Sequence, residues 1–158
     1  MADRPSPPGL AAWRAFLGSY VAVRDRLERE LEVASGMPLS WYEVLVRLSE
    51  APSNTIRMQE LARGVFLSKS GLTQVATRME AAGLIRREVC PTDRRGVNAV
   101  LTPAGKRAAR RAAVVHLRGV QAHFARHFDD LELRRLTKAM GKVFEAEAPP
   151  GARLPGRS

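Results

Sequence analysis

Between Ser68 and Gly105 the chain reads SKSGLTQVATRMEAAGLIRREVCPTDRRGVNAVLTPAG, and its hydrophobic period changes twice within that stretch. Leu72, Val75, Ala76 and Met79 recur at threes and fours, the spacing of one helix face. From Leu84 to Val89 and again from Val97 to Leu101 the residues are β-prone, and the segment between them, Cys90 to Gly96, is made of turn formers. Thr102-Pro103 then reads as a new helix start, with Thr as cap and Pro in the first turn. Helix, strand, arginine-tipped turn, strand, helix is an order few architectures accommodate.

The helix of this stretch is expected over Lys69 to Ala82, capped by Ser68 and closed by Gly83. Its outward residues are Lys69, Ser70, Thr73, Gln74, Thr77 and Arg78, with no acid before Glu80. Short and long polar side chains flanked by cations suit a helix lying in a DNA major groove. The two strands would form a wing carrying Arg87 and, at its tip, Arg94 and Arg95, which suit the negative potential of a narrow minor groove. Asp93 is read as a brace for Arg95, and Ser68 joins the set of expected DNA-facing residues. From Arg57 to Arg111 there are twelve positive and four negative side chains, so this third of the chain carries most of the net charge of +10. Clustered cations gain free energy by displacing counterions from phosphates.

On either side the pattern is helical. Leu10, Trp13, Leu17, Tyr20, Leu27 and Leu31 keep heptad spacing toward Gly36, with Arg24 on the same stripe. Ser40 and Glu43 are spaced for a capping box, and Leu39 and Val44 for a hydrophobic staple, so a helix burying Val44, Leu45 and Leu48 is expected after Ser40 and up to Pro52. An extended Thr55-Ile56-Arg57 and a compact helix from Gln59 to Phe66 follow. A long helix is expected from Thr102 to about Phe128, and a last one beginning at Asp129 or Asp130, with Leu133, Leu136, Met140 and Val143 on one stripe. The fold class is therefore mainly α with a small β-wing: a winged helix-turn-helix over residues 37–102, a dimerisation helix over 10–36 and C-terminal dimerisation helices over 103–147. The helix breakers in residues 1–9 and 148–158 read as disordered tails.

At 158 residues and 45% apolar content the chain suits one domain with a real core. Its single cysteine allows no intrachain disulfide and no cysteine-based zinc site, which fits a reducing cytoplasm. No signal peptide and no membrane span are read, and no Gly-rich phosphate loop or nucleophile elbow supports an enzyme.

These residues resemble the MarR family of bacterial transcription factors. The likeness rests on Asp93-Arg94-Arg95 followed by Leu101-Thr102-Pro103-Ala104-Gly105, with Glu60-Leu61-Ala62, Ser68-Lys69-Ser70 and Gly83-Leu84-Ile85 in the matching order. It spans nearly everything from Leu10 to Glu145. It implies a two-fold homodimer on double-stranded DNA, with recognition helices in successive major grooves of a pseudo-palindromic operator, usually as a repressor. It also implies release by a small anionic or phenolic inducer, an oxidant or a metal. Trp13, Phe16, Tyr20, Trp41, Leu45 and His116 are candidates to line an inducer cleft, with Arg14 or Arg24 for an anion. Cys90 among arginines is the alternative redox sensor. His123 and His127, four apart with His116 two turns back, are the alternative metal sensor, with Glu28 or Glu32 approaching. No cofactor or metal is assigned. A nonspecific, architectural DNA binder is the other alternative.

Overall fold

The computed structural model describes residues 4–65, 67–90 and 93–148, apart from the side chains of Arg94 and Arg95. Helix α1 runs Pro7–Ser35 and is capped by Ser6, whose Oγ accepts from the Gly9 amide at 3.3 Å. The expected tail of residues 1–9 is thus too long, since residues 7–9 are helical. Pro7 and Pro8 break a helix interior but suit a first turn, where no amide partner is needed. Gly36, at φ 63°, closes the helix in the left-handed conformation.

Helix α2 spans Leu39–Glu50 and starts two residues before the expected position. Pro38 is the N-cap and makes no side-chain cap bond, so the Ser40–Glu43 box does not form. The Glu28 carboxylate of α1 accepts from the Leu39 amide at 3.3 Å instead, so a tertiary contact replaces the local cap. Leu39, Tyr42, Val44, Leu45 and Leu48 are buried and form the centre of the core with Leu31, Leu61, Leu72, Met79 and Ile85. Each such side chain contributes about 1.5–3 kcal/mol relative to exposure.

A 3-10 turn at Pro52–Asn54 leads into strand β1, Thr55–Arg57, and then helix α3, Met58–Gly64. Phe66, the expected end of that helix, lies outside the described residues. Helix α4, Lys69–Ala81, begins at Ser68, whose Oγ accepts from the Gly71 amide at 3.0 Å. It ends in a Schellman arrangement: Gly83 at φ 72°, with Gly83 N donating to Glu80 O and Leu84 N to Met79 O, each at 2.9 Å. Strands β2, Ile85–Cys90, and β3, Asp93–Leu101, complete an antiparallel sheet of order β1-β3-β2. Helix α5, Pro103–His123, and helix α6, Asp130–Glu147, follow.

Two further features differ from expectation. Helix α5 stops at His123, not near Phe128, and Ala125–His127 form a 3-10 turn. The break is at Phe124, whose backbone (φ −130°, ψ −68°) leaves the helical region, and α6 starts from a capping box in which Asp129 Oδ1 accepts from the Leu131 and Glu132 amides while Asp129 N donates to Glu132 Oε2. The wing is also built differently. β3 begins at Asp93, inside the expected turn, and pairing steps from Val89 opposite Val97 to Cys90 opposite Asp93. Arg94, Arg95 and Gly96 are therefore a bulge within the strand. A Cβ on Gly96 would stand 3.2 Å from Cys90 Cβ and 3.3 Å from Asp93 O, a fit that favours glycine.

Candidate nucleic-acid interface

Leu72, Ala76 and Met79 anchor α4 in the core, which fixes its opposite face outward. Ser68, Lys69, Ser70, Thr73, Gln74, Thr77 and Arg78 are all exposed there, as the sequence predicts. Thr73 and Thr77 donate their hydroxyl protons to Lys69 O and Thr73 O, at 2.8 and 2.9 Å. Toward a base these hydroxyls therefore act as acceptors, and the threonine methyls offer contact to thymine.

Behind this face, Glu80 and Arg87 fasten the wing to the helix. Glu80 accepts from Arg87 Nε at 2.8 Å, from Nη2 at 2.6 Å and from the Arg87 amide at 2.8 Å. These bonds hold its carboxyl below the usual carboxylate range. Arg87, expected to face DNA, thus has its guanidinium engaged by Glu80. It serves the position of the wing.

Thr102 and Gly105 form a second tie. Thr102 Oγ1 donates toward Gly83 O at 2.7 Å and Leu84 O at 3.0 Å, and accepts from the Gly105 amide at 3.0 Å. One residue thus caps α5 and fixes the exit of α4. A Cβ on Gly105 would lie 2.0 Å from Leu84 O, which explains glycine at the end of Leu-Thr-Pro-Ala-Gly.

At the wing base, Arg57 of β1 donates to Asp93 Oδ2 and to Cys90 Sγ, both at 3.3 Å. Asp93 is a brace, but its described partner is Arg57. The expected Arg95 contact lies outside the described side chains, as do the groove contacts of Arg94 and Arg95. Cys90 is buried. The sequence carried no signal for Arg57–Asp93 or Glu80–Arg87, because these pairs depend on sheet register and on the angle between helix and strand.

The expected inducer cleft is only partly assembled. Trp13, Phe16 and Tyr20 stand in a row on α1, with ring centroids 6.0 and 6.4 Å apart, and each is about half exposed. Leu45 is fully buried core. Trp41 is half-buried against that core. His116 lies on the Tyr42 ring, centroids 4.6 Å apart; burial lowers its pKa, and its buried Nδ1 has no partner among the described residues. An open cleft of about 530 Å³ runs along α6, between Leu133 and Glu145, and none of the six expected residues lines it. His123 bonds Glu30 Oε1 at 2.5 Å. His127 sits beyond the end of α5, so the two do not share a helical face, and no cluster of three metal-ligating residues occurs among the described residues.

Comparison with known proteins agrees with this geometry. A model of the MarR family matches residues 35–96. The structure of AbsC, a MarR family transcriptional regulator from Streptomyces coelicolor, is 36% identical, with 92% of this chain and 97% of that one covered at a TM-score of 0.83. The chain belongs to the MarR family. This MarR-family regulator is also similar to Sco3205 of Streptomyces coelicolor, solved in complex with DNA: 32% identity, 98% and 97% coverage, TM-score 0.86. A mutant of MarR from E. coli, solved in complex with operator DNA, shares the fold at 20% identity, 82% and 91% coverage and a TM-score of 0.73. No curated protein sequence matches. Among the described residues no helix is long and apolar enough to cross a membrane.

Proposed function

We propose that this MarR-family regulator is a homodimeric, cytoplasmic bacterial repressor that binds a pseudo-palindromic operator and leaves it when a small anionic or phenolic molecule binds. The observation that carries the reading is the outward face of α4, where Lys69, Ser70, Thr73, Gln74, Thr77 and Arg78 are exposed without an intervening acid. Glu80, the first acid after them, is bonded to Arg87. The DNA complex of Sco3205 supports duplex DNA as the partner.

Dimerisation is supported by uncovered apolar faces. Trp13, Phe16, Leu17, Tyr20 and Val21 on α1 are exposed, as are Val114 and Leu117 on α5 and Leu131, Met140 and Val143 on α6. Further along α1, Leu27 and Leu31 are buried in their own chain, where α1 crosses α5 so closely that a Cβ on Gly119 would stand 2.6 Å from Leu27 Cδ2. Half of α1 thus belongs to the chain's own core and half awaits a partner. Two α4 helices about 34–36 Å apart would occupy successive major grooves. Inducer release requires a ligand that prefers a spacing of the two winged units that misfits the duplex.

The test is fluorescence anisotropy on the duplex upstream of the protein's own gene, against a shuffled duplex, across a salt series. Selective binding that survives physiological salt is expected. Gln74→Ala should relax base preference, while Arg95→Ala should weaken all sequences and lower the salt slope by about 0.9 per lost phosphate contact. Equal binding to both duplexes, collapsing together as salt rises, would mark a nonspecific DNA binder and refute the repressor reading.

A further inference from the structure

The wing carries two valines that the arginine-centred account leaves unused. Along β2, Ile85, Arg87 and Val89 point to one side of the sheet, and opposite them on β3 stand Leu101, Ala99 and Val97. At the base of the wing this side is covered: Ile85, Ala99 and Leu101 are buried, and Arg87 reaches Glu80 of α4. Farther out the cover ends, and Val89 is 62% exposed and Val97 40% exposed. The two are directly paired across the strands, so their side chains form one continuous apolar patch. The reverse side carries Arg86, Glu88 and Asn98 together with the buried Val100 and Cys90.

We propose that Val89 and Val97 are a DNA-contacting apolar edge of the wing, packing against the deoxyribose walls of the groove that the wing enters. The inference rests on the DNA-binding reading above. The patch lies on the side of the sheet from which Arg87 reaches Glu80 of α4, and the Arg94-Arg95-Gly96 bulge directly precedes Val97. Two valines are far too small a surface to hold a second protein, which needs about 1,000 Å². They suit an added contact within an interface whose affinity comes mainly from phosphates, and apolar wing or wedge residues against sugars and bases recur in minor-groove binding. Both side chains are β-branched and already stiff, so little freedom is lost on contact.

The experiment measures anisotropy on the same two duplexes for Val89→Thr, Val97→Thr and the double variant. Threonine keeps the β-branched shape and strand preference while removing apolar contact. Losing about one buried methyl per wing lowers affinity roughly fourfold, and two wings per duplex make this about fifteenfold for each variant dimer. The salt slope should stay at the wild-type value, because no phosphate contact is lost. Val33→Thr, at an 89% exposed position on α1, should bind like wild type. Wild-type affinity in the double variant overturns the proposal. So does a loss accompanied by a shallower salt slope, or altered sedimentation with unchanged affinity per dimer, which would assign the patch to a second copy. A wild-type protein that binds both duplexes equally instead refutes the operator reading, and the valine effect is still measurable on either duplex.

Discussion

Replacing Gly105 by alanine tests the tie between the end of α4 and the start of α5. The added Cβ would lie 2.0 Å from Leu84 O, 2.8 Å from Leu101 Cδ1 and 3.0 Å from Leu84 C, where ordinary contact begins at 3.4 Å. The main obstacle is a backbone carbonyl, which cannot rotate away as a side chain would. Relief requires moving the first turn of α5 by about an ångström, and the same Leu84 carbonyl accepts from Thr102 N at 3.1 Å and Thr102 Oγ1 at 3.0 Å. Overpacking of this kind costs about 1–3 kcal/mol, and one or two weakened hydrogen bonds add about 0.5–1.5 kcal/mol each. Alanine's helical advantage over glycine returns up to about 1 kcal/mol. The expected net loss is about 2–4 kcal/mol, or roughly 5–15 °C in Tm for a chain of this size. Thermal unfolding followed by circular dichroism, at one fixed protein concentration so that self-association does not shift Tm between samples, measures the effect. An unchanged or raised Tm would show that α5 yields without cost and refute the argument. Thr102→Val, which keeps the shape but loses the hydroxyl bonds, should reproduce a smaller part of the loss.

Three further outcomes are expected. Ser68→Ala should cost about 0.5–2 kcal/mol and speed hydrogen exchange of the Gly71 amide, whose cap acceptor is removed; unaltered exchange there would contradict the capping role. Glu80→Gln should destabilise the protein at neutral pH. The Glu80 carboxyl is held below its ordinary 4.5, so its contribution is present above that value and is lost as pH falls through the depressed folded value. Denaturation curves of wild type and variant should therefore converge on acidification, and a constant gap would be inconsistent with the ion pair. His116→Phe should flatten the acid side of the stability profile. Burial lowers the His116 pKa below 6.5, so in wild type the unfolded chain takes up this proton first and stability falls as pH drops below 6.5. Parallel wild-type and variant profiles through that window would exclude the effect.

The elements themselves were legible in the sequence, because what marks them is local. Ser68, Thr102 and Asp129 cap from within four residues, Gly36 and Gly83 end helices through their own φ, and the 3.6-residue stripe of α4 sorts its buried from its outward residues. The same locality made the exposed set on α4 readable. What depends on residues distant in sequence was decided only by the tertiary structure. Glu28 of α1 displaced the Ser40 box as the cap of α2, and the sheet register drew Asp93 to Arg57 and made Arg94-Arg95-Gly96 a bulge in place of an open turn. The same packing engaged Arg87 with Glu80 and put the Leu84 carbonyl where only glycine fits at 105. A run of arginines declares its charge in one dimension. Which of them remain available to a phosphate depends on the carboxylates that folding brings within about 3 Å, and that is a property of three dimensions.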